Sequence, residues 1–174
     1  MNTDPKDDGW TRRYEVLYRV ELSVLYHQKR ERFFELCDKL AKAVAVIGGS
    51  AALWKLTSPE VLGWVVAAIT VTSTLSLVFG FSDRSKRHAE LARNFRQLEA
   101  EIVGKGVADF DEHIDKWEEK AHMLESQEPP SLGGLVVLCQ NELAIAANQR
   151  EKVVPLSRRQ RWLAHLVDFH PTAN

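Results

Sequence analysis

Most of the chain is amphipathic, with apolar residues at helical spacing among polar ones. Two continuous apolar segments interrupt this pattern. Residues 61–82 contain no charged side chain. A helix rises ~1.5 Å per residue, so this run covers roughly the ~30 Å hydrocarbon core of a bilayer. A chain of 174 residues has little protein in which to bury such a helix on all sides. The pattern therefore predicts a transmembrane helix over residues 61–82.

The first apolar segment, residues 40–56, is shorter than the second. Its charge-free part, residues 43–54, is short, but Lys42 and Lys55 bracket it and can extend their charges to the interface. Residues 55–60 then predict a tight turn in which Pro59 blocks helix continuation. A short turn sends the second helix back beside the first, so we expect two antiparallel spans.

Basic residues predict the orientation of these spans. Ten flank the pair, and the turn has Lys55 alone. The ten are Lys29, Arg30, Arg32, Lys39 and Lys42 before the first span, and Arg84, Lys86, Arg87, Arg93 and Arg96 after the second. The positive-inside rule then places both termini in the cytoplasm. Trp54 and Trp64 flank the turn, where indole rings favour the opposite interface.

Small and hydroxylated residues recur at three- and four-residue spacing in both spans. They are Gly48, Gly49 and Ala52 in the first, and Gly63, Ala67, Thr70 and Thr74 in the second. Such faces let helices approach closely in lipid. Two interpretations stay open: packing within one hairpin, or an oligomer in which the hydroxyl groups line a pore.

Apolar stripes outside the spans predict cytosolic helices. The first helix is expected to start near Thr11 and to run into the membrane. Its stripe comprises Tyr18, Leu22, Leu25, Phe33, Cys37, Leu40, Val44 and Ile47. A second stripe comprises His88, Leu91, Phe95, Leu98 and Ile102, and a third comprises Val107, Phe110, Ile114, Trp117, Ala121 and Leu124. The first two helices should pack as an antiparallel stalk.

Three charged or titratable features read as structural rather than chemical. His88 lies on an apolar stripe and is expected to pack, whereas His27 sits in a charged run and is expected at the surface. The carboxylates around the third stripe predict a solvated acidic face. They are Asp109, Asp111, Glu112, Asp115, Glu118 and Glu119.

The last forty residues follow a loop at residues 128–134. Pro155 and the pattern Ser157-x-x-Gln160 predict the start of a final helix bearing Arg158, Arg159 and Arg161 beside an apolar face. That face could lie on an anionic leaflet or pack on the stalk; nucleic-acid binding is a poor third.

The predicted fold is all-α. It comprises a flexible N-terminus over residues 1–10, a two-transmembrane hairpin extended into a cytosolic antiparallel helical stalk over residues 11–128, and a C-terminal helical segment over residues 135–174. The net charge of −1 gives no field that would attract nucleic acid. The two cysteines lack metal-ligand spacing, and the sequence has no catalytic motif. We therefore expect neither enzymatic activity nor a bound cofactor.

Residues 11–126 resemble the SLATT family, bacterial two-transmembrane effector domains associated with nucleotide-signalling proteins. The likeness is carried by the hairpin with basic ends, by residues 14–32, and by residues 82–102, which contain an arginine, a histidine and the pattern Leu98-x-x-Glu101. It implies a homo-oligomeric, pore-forming or membrane-perturbing effector of the inner (cytoplasmic) membrane. Such a protein acts in antiviral defence against phage when a sensor or nucleotide-signalling partner activates it.

Two other functions stay open. One is a non-pore membrane scaffold or superinfection-exclusion protein that binds a partner through its cytosolic helices. The other is a soluble helical interaction protein whose apolar hairpin is buried. Membrane fractionation separates the soluble alternative from the other two.

Overall fold

The structure, a computed structural model, describes residues 5–50, 58–105 and 110–169, and every regular element among them is helical. The helices are α1 (Pro5–Gly48), α2 (Pro59–Phe79), α3 (Phe81–Gly104), α4 (Phe110–Glu125), α5 (Gly133–Ala146), a 3-10 helix (Arg150–Lys152) and α6 (Arg158–Leu163). Contacts divide the chain into two units, residues 1–29 with 89–174 (unit 1) and residues 30–88 (unit 2).

Helix α1 confirms that the polar N-terminal region and the first apolar segment share one helix. It runs without a break for 44 residues, beginning at Pro5 rather than near Thr11. Its end is marked by Gly49, whose amide donates to the carbonyl of Ala45 at 2.9 Å. Residues 51–57 lie outside the described part of the chain, and with them Ala52, Trp54 and the end of the first expected span.

The main core of unit 1 joins α1, α3 and α4. Its buried residues are Val16, Val20 and Val24 of α1, Phe95, Leu98 and Ile102 of α3, and Ile114, Trp117 and Ala121 of α4. The second apolar stripe is thereby confirmed, as is the described part of the third; Val107 and the side chain of Phe110 lie outside the described residues. On α1, however, valines that the predicted stripe omitted fill this core.

Ion pairs cover part of the face expected to be solvated. The Arg12 guanidinium reaches Asp115 and Glu118, each at 2.8 Å, and these two carboxylates raise its pKa. Lys120 pairs with Glu101 at 2.6 Å and lowers the pKa of that carboxyl. The Asp115 side chain is 82% exposed, as expected for a solvated face, whereas Glu118 is partly covered, because Arg12 of α1 pairs with it.

A second core in unit 1 holds the C-terminal segment. Tyr26, Leu135, Cys139 and Ala164 are buried together. The Tyr26 hydroxyl accepts a hydrogen bond from the Leu132 amide at 3.1 Å. Burial raises the pKa of the Cys139 thiol to about 12, so this cysteine stays protonated at neutral pH. The segment is therefore an integral part of unit 1.

His27 corrects a prediction. Its side chain is 0% exposed rather than at the surface, and its ring stacks on Phe95 with centroids 5.8 Å apart. Its Nε2 lies 3.2 Å from Glu128 Oε1, an ion pair when the ring is protonated. The charged neighbours misled because each helical residue turns by about 100°, so that Lys29, two positions further on, points to the other side of α1 from His27.

In unit 2, Phe34 is the centre of an aromatic and cationic cluster. Its ring stacks on His88 at 5.6 Å, in agreement with the packing role expected for that histidine. The guanidinium of Arg30 lies 4.4 Å from the Phe34 ring centroid. The inward residues of α1 here are Phe34, Ala41 and Gly48, whereas the predicted stripe placed Phe33, Leu40 and Ile47 inward. The prediction was wrong by one residue because apolar side chains occupy both positions.

Candidate functional site

Helix α2 begins and ends where its sequence dictates. Ser58 adopts an extended N-cap conformation, and Pro59 occupies the first helical position, where its missing N–H costs nothing. The helix stops at Gly80, whose φ of 56° is left-handed and whose amide donates to the Ser76 carbonyl at 3.0 Å. A side chain at this position would be strained, so glycine favours the break before α3.

Most of the surface of α2 is exposed, apart from a half-buried strip that includes Val65 and Ile69. The structure describes all 21 of its residues, and none is buried. Its exposed large apolar side chains are Val61, Trp64, Val66, Val71, Leu75, Leu77, Val78 and Phe79. Soluble monomers rarely expose an apolar surface this long and continuous. An exposed apolar surface of this kind is typical of a helix that contacts lipid or another protein.

The helical stretch that contains α2 is long and apolar enough to cross a membrane, and among the described residues it is the only one that meets these two criteria. It corresponds to the second predicted span, residues 61–82. The described part of the first predicted span ends as a helix at Gly48. One helix of membrane-spanning character is thus present.

At Gly48, helix α1 approaches α2 closely. A Cβ atom at Gly48 would lie 2.5 Å from Ile69 Cδ1 and 3.1 Å from Val65 Cγ1. A methyl group there would force the Ile69 side chain to move, so glycine permits the present contact, as small residues do between helices in lipid. For Gly49, a Cβ would instead meet the carbonyl oxygen of Ala45 in its own helix at 2.9 Å.

The other predicted small residues lie on the opposite side of α2. Gly63, Ala67, Thr70 and Thr74 are all exposed, and a Cβ built on Gly63 would meet no described atom within 4 Å beyond its chain neighbours and its own helix backbone. Successive helical residues turn by about 100°, which puts this front face roughly 180° from Val65 and Ile69. Within the described chain, Gly48 packs against the back of α2, and the front face stays free.

The hydroxyl groups of the front face bond to their own helix. Thr70 Oγ1 donates to the Val66 carbonyl at 2.9 Å, and Thr74 Oγ1 donates to the Thr70 carbonyl at 2.8 Å. Back-bonding satisfies these donors without a partner helix. The oxygen lone pairs remain available to water or to a cation.

The predicted juxtamembrane basic residues lie on exposed turns. Lys39 pairs with Glu35 at 2.7 Å and Lys42 with Asp38 at 2.6 Å, each one turn earlier in α1. The three on α3, namely Arg84, Lys86 and Arg87, are exposed directly after the end of α2. Arg84 also lies over the Phe34 ring at 5.8 Å. Charged groups therefore border the apolar helices at this end.

Substitution of Gly48 is expected to loosen the α1–α2 contact. In Gly48→Leu the new side chain displaces Ile69 and Val65 of α2, and overpacking of this kind costs about 1–3 kcal/mol of stability. Gly63→Leu is the matched control: its side chain enters open space, and leucine favours a helix over glycine by about 0.8 kcal/mol. Thermal unfolding in a detergent that keeps the chain monomeric, so that the front face of α2 has no partner, should show a lower midpoint for Gly48→Leu and an unchanged or higher one for Gly63→Leu. Equal shifts would contradict the contact at Gly48.

Among the described residues, no three His, Cys, Asp or Glu side chains gather as a metal-binding group. Comparison with protein-family models, with curated proteins and with solved structures gives no match. The SLATT resemblance of residues 11–126 therefore stays a prediction.

Proposed function

We propose that this protein is a membrane effector that acts as a homo-oligomer and perturbs the bilayer, through a pore in the simplest case. The observation that carries the proposal is α2, a helix of 21 residues of which none is buried and most of the large apolar side chains are exposed. A lipid bilayer is the partner that such a surface fits. The soluble alternative would require another protein to cover the whole helix.

The proposed topology is a hairpin with both termini in the cytoplasm. The apolar end of α1 contacts α2 through Gly48, which supports a pair of packed spans. Ten basic residues on the two outer sides, against Lys55 in the turn, support the orientation. Unit 1 would then lie on the cytoplasmic side as the stalk.

Cysteine labelling in intact cells tests this topology. With Cys37→Ser and Cys139→Ala as background, Ser58→Cys should react with a membrane-impermeant maleimide and Ser126→Cys should not. Both serines are exposed in the structure, so access from one side of the membrane would decide the result. Disruption of the cells should make Ser126→Cys reactive, which checks the reagent. Labelling at Ser126→Cys in intact cells would contradict the orientation.

The front face of α2 supports self-association. Gly63 and Ala67 allow a second helix to approach closely, and Thr70 and Thr74 present oxygen atoms on the same side. Because α1 contacts the back of α2 at Gly48, copies could meet through the front faces. A ring of such helices would direct the threonine oxygens towards its axis.

The resemblance to SLATT domains adds a biological setting to the proposal. An effector of that kind is held inactive until a sensor or nucleotide-signalling partner responds to phage. In this chain, unit 1 is the part available for such a partner, because its helices carry charged and exposed surfaces outside the apolar segments.

A non-pore scaffold or superinfection-exclusion protein is the second candidate, favoured by the amount of helical surface in unit 1. Membrane potential separates the two functions. Induced synthesis of an effector should depolarise cells, as measured by release of a potential-sensitive dye, before the cells lyse. A scaffold should reach the same membrane level without dye release.

A further inference from the structure

The residues after Pro155 form a short segment that hydrogen bonds hold against the rest of unit 1. A capping box starts α6: Ser157 Oγ accepts from the Gln160 amide at 3.2 Å, and Gln160 Oε1 accepts from the Ser157 amide at 2.8 Å. Near the other end, Asp168 Oδ1 accepts from the Gly133 amide at 2.8 Å. The segment is thus held in one orientation.

The segment packs on the rest of unit 1 without using Trp162, its largest side chain. Ala164 is fully buried, and Leu156 is 8% exposed. Phe169 packs on Gly134, where an added Cβ would lie 2.6 Å from the ring. Because these three residues make the contact with unit 1, the remaining apolar side chains of the segment must point elsewhere.

Four apolar side chains point outward. The tryptophan patch consists of Trp162, Leu163, Leu166 and Val167, all exposed, and Trp162 is 81% exposed. Tryptophan is usually well buried in folded proteins. The sequence left open whether this apolar face packs on the stalk, and the structure uses Ala164 and Phe169 for that packing.

Arginines border the tryptophan patch. Arg158, Arg159 and Arg161 are exposed on the turn that leads into it. The nearest acidic residues in sequence are Glu151, on the preceding 3-10 helix, and Asp168, which is engaged with the Gly133 amide. The surface therefore combines indole, aliphatic and guanidinium groups with little negative charge.

We propose that the tryptophan patch inserts into the interface of an anionic lipid leaflet, with the three arginines on the headgroup phosphates. Indole rings favour the interface, and basic residues beside an apolar face are typical of peripheral membrane helices. Near an anionic leaflet each arginine raises the binding constant about fivefold, so three give on the order of 100-fold. The combination matches an anionic leaflet, in which the apolar layer lies directly beneath a layer of phosphates.

This second membrane contact rests on the proposed function, in that the chain must reside at a membrane. It would hold unit 1 on the leaflet independently of α2. Anionic lipid content would then control whether the C-terminal segment is docked.

Quenching of Trp162 tests the contact. The full chain, with Trp10, Trp54 and Trp64 replaced by phenylalanine, retains Trp162 and the buried Trp117. It is reconstituted in vesicles whose lipids carry brominated acyl chains, made either of phosphatidylcholine alone or of phosphatidylcholine with phosphatidylglycerol. We expect strong quenching in the anionic vesicles and severalfold less in phosphatidylcholine alone. Adding Trp162→Phe should remove the quenched component, which assigns it.

The variant Arg158→Gln/Arg159→Gln/Arg161→Gln should lower quenching in anionic vesicles to the phosphatidylcholine level while the chain still floats with the vesicles. If the unsubstituted chain does not float with the vesicles, the proposed insertion of α2 is overturned. In that case, quenching of Trp162 when anionic vesicles are added to the chain would still support the membrane contact of the tryptophan patch. Absence of quenching in anionic vesicles by a chain that floats would overturn the patch and favour a protein partner. Equal quenching in both lipids would overturn the role of the arginines.

Discussion

Replacing Val71 with arginine is expected to release much of the protein from the membrane fraction. Val71 lies near the middle of α2 and is 58% exposed. Arginine at the centre of a spanning helix costs about 3 kcal/mol relative to valine, on the order of 100-fold in the insertion equilibrium. Alkaline extraction of membranes should therefore recover the wild type in the pellet and much of Val71→Arg in the supernatant.

A control arginine substitution at an equally exposed valine outside α2 tests whether lipid or water surrounds α2. Val103, in unit 1, is 59% exposed, almost the same fraction as Val71. Val103→Arg should leave the distribution unchanged, since its environment is aqueous in the proposed topology. Val71→Leu should also behave as the wild type. If Val71→Arg and Val103→Arg fractionate alike, α2 is not a membrane span.

The sequence was a good guide wherever one apolar stripe faced one neighbour. Phe95 and Ile102 on α3, and Trp117 on α4, are buried as their spacing predicted. The end of α2 and the Ser157–Gln160 capping box depend on local interactions, and the capping box was predicted from its sequence pattern. These features require no knowledge of the tertiary fold.

Prediction failed on α1, for a physical reason. This helix contributes to two cores of unit 1 and to unit 2, so apolar residues surround it and no single stripe stands out. Phe33 and Phe34 are adjacent, and the choice between them depends on which partner lies nearby. His27 was misplaced for the same reason, because a histidine between two cores is indistinguishable in sequence from one at the surface.

The small residues illustrate the same limit at the candidate site. Spacing placed Gly48 and Gly63 in equivalent roles, since each belongs to a stripe of small residues. The structure separates them: Gly48 meets Ile69, whereas Gly63 faces open space among the described residues. The distinction arises from the rotation of α2 about its own axis, which spacing within one helix does not fix.

Removal of two hydroxyl groups from the front face is expected to abolish depolarisation while leaving membrane insertion intact. Thr70→Val/Thr74→Val keeps the side-chain shape and removes the oxygens that bond back to Val66 and Thr70. Valine is tolerated in a lipid-facing helix, so the amount of protein in the membrane should not fall. In a narrow pore, however, an apolar lining favours dewetting and stops conduction.

Thr72→Val/Ser76→Ala is the control for this pair. It also removes two hydroxyl groups one turn apart, but Thr72 lies about 180° around the helix from the front face. Dye release and cell survival are compared at matched membrane levels. A pore lined by the front face predicts loss of dye release with Thr70→Val/Thr74→Val alone. Equal loss in both variants would mean that polarity of α2 in general, rather than the front face, sets activity. Unchanged dye release in both would exclude these hydroxyl groups from the conduction path and leave perturbation of the bilayer as the mode of action.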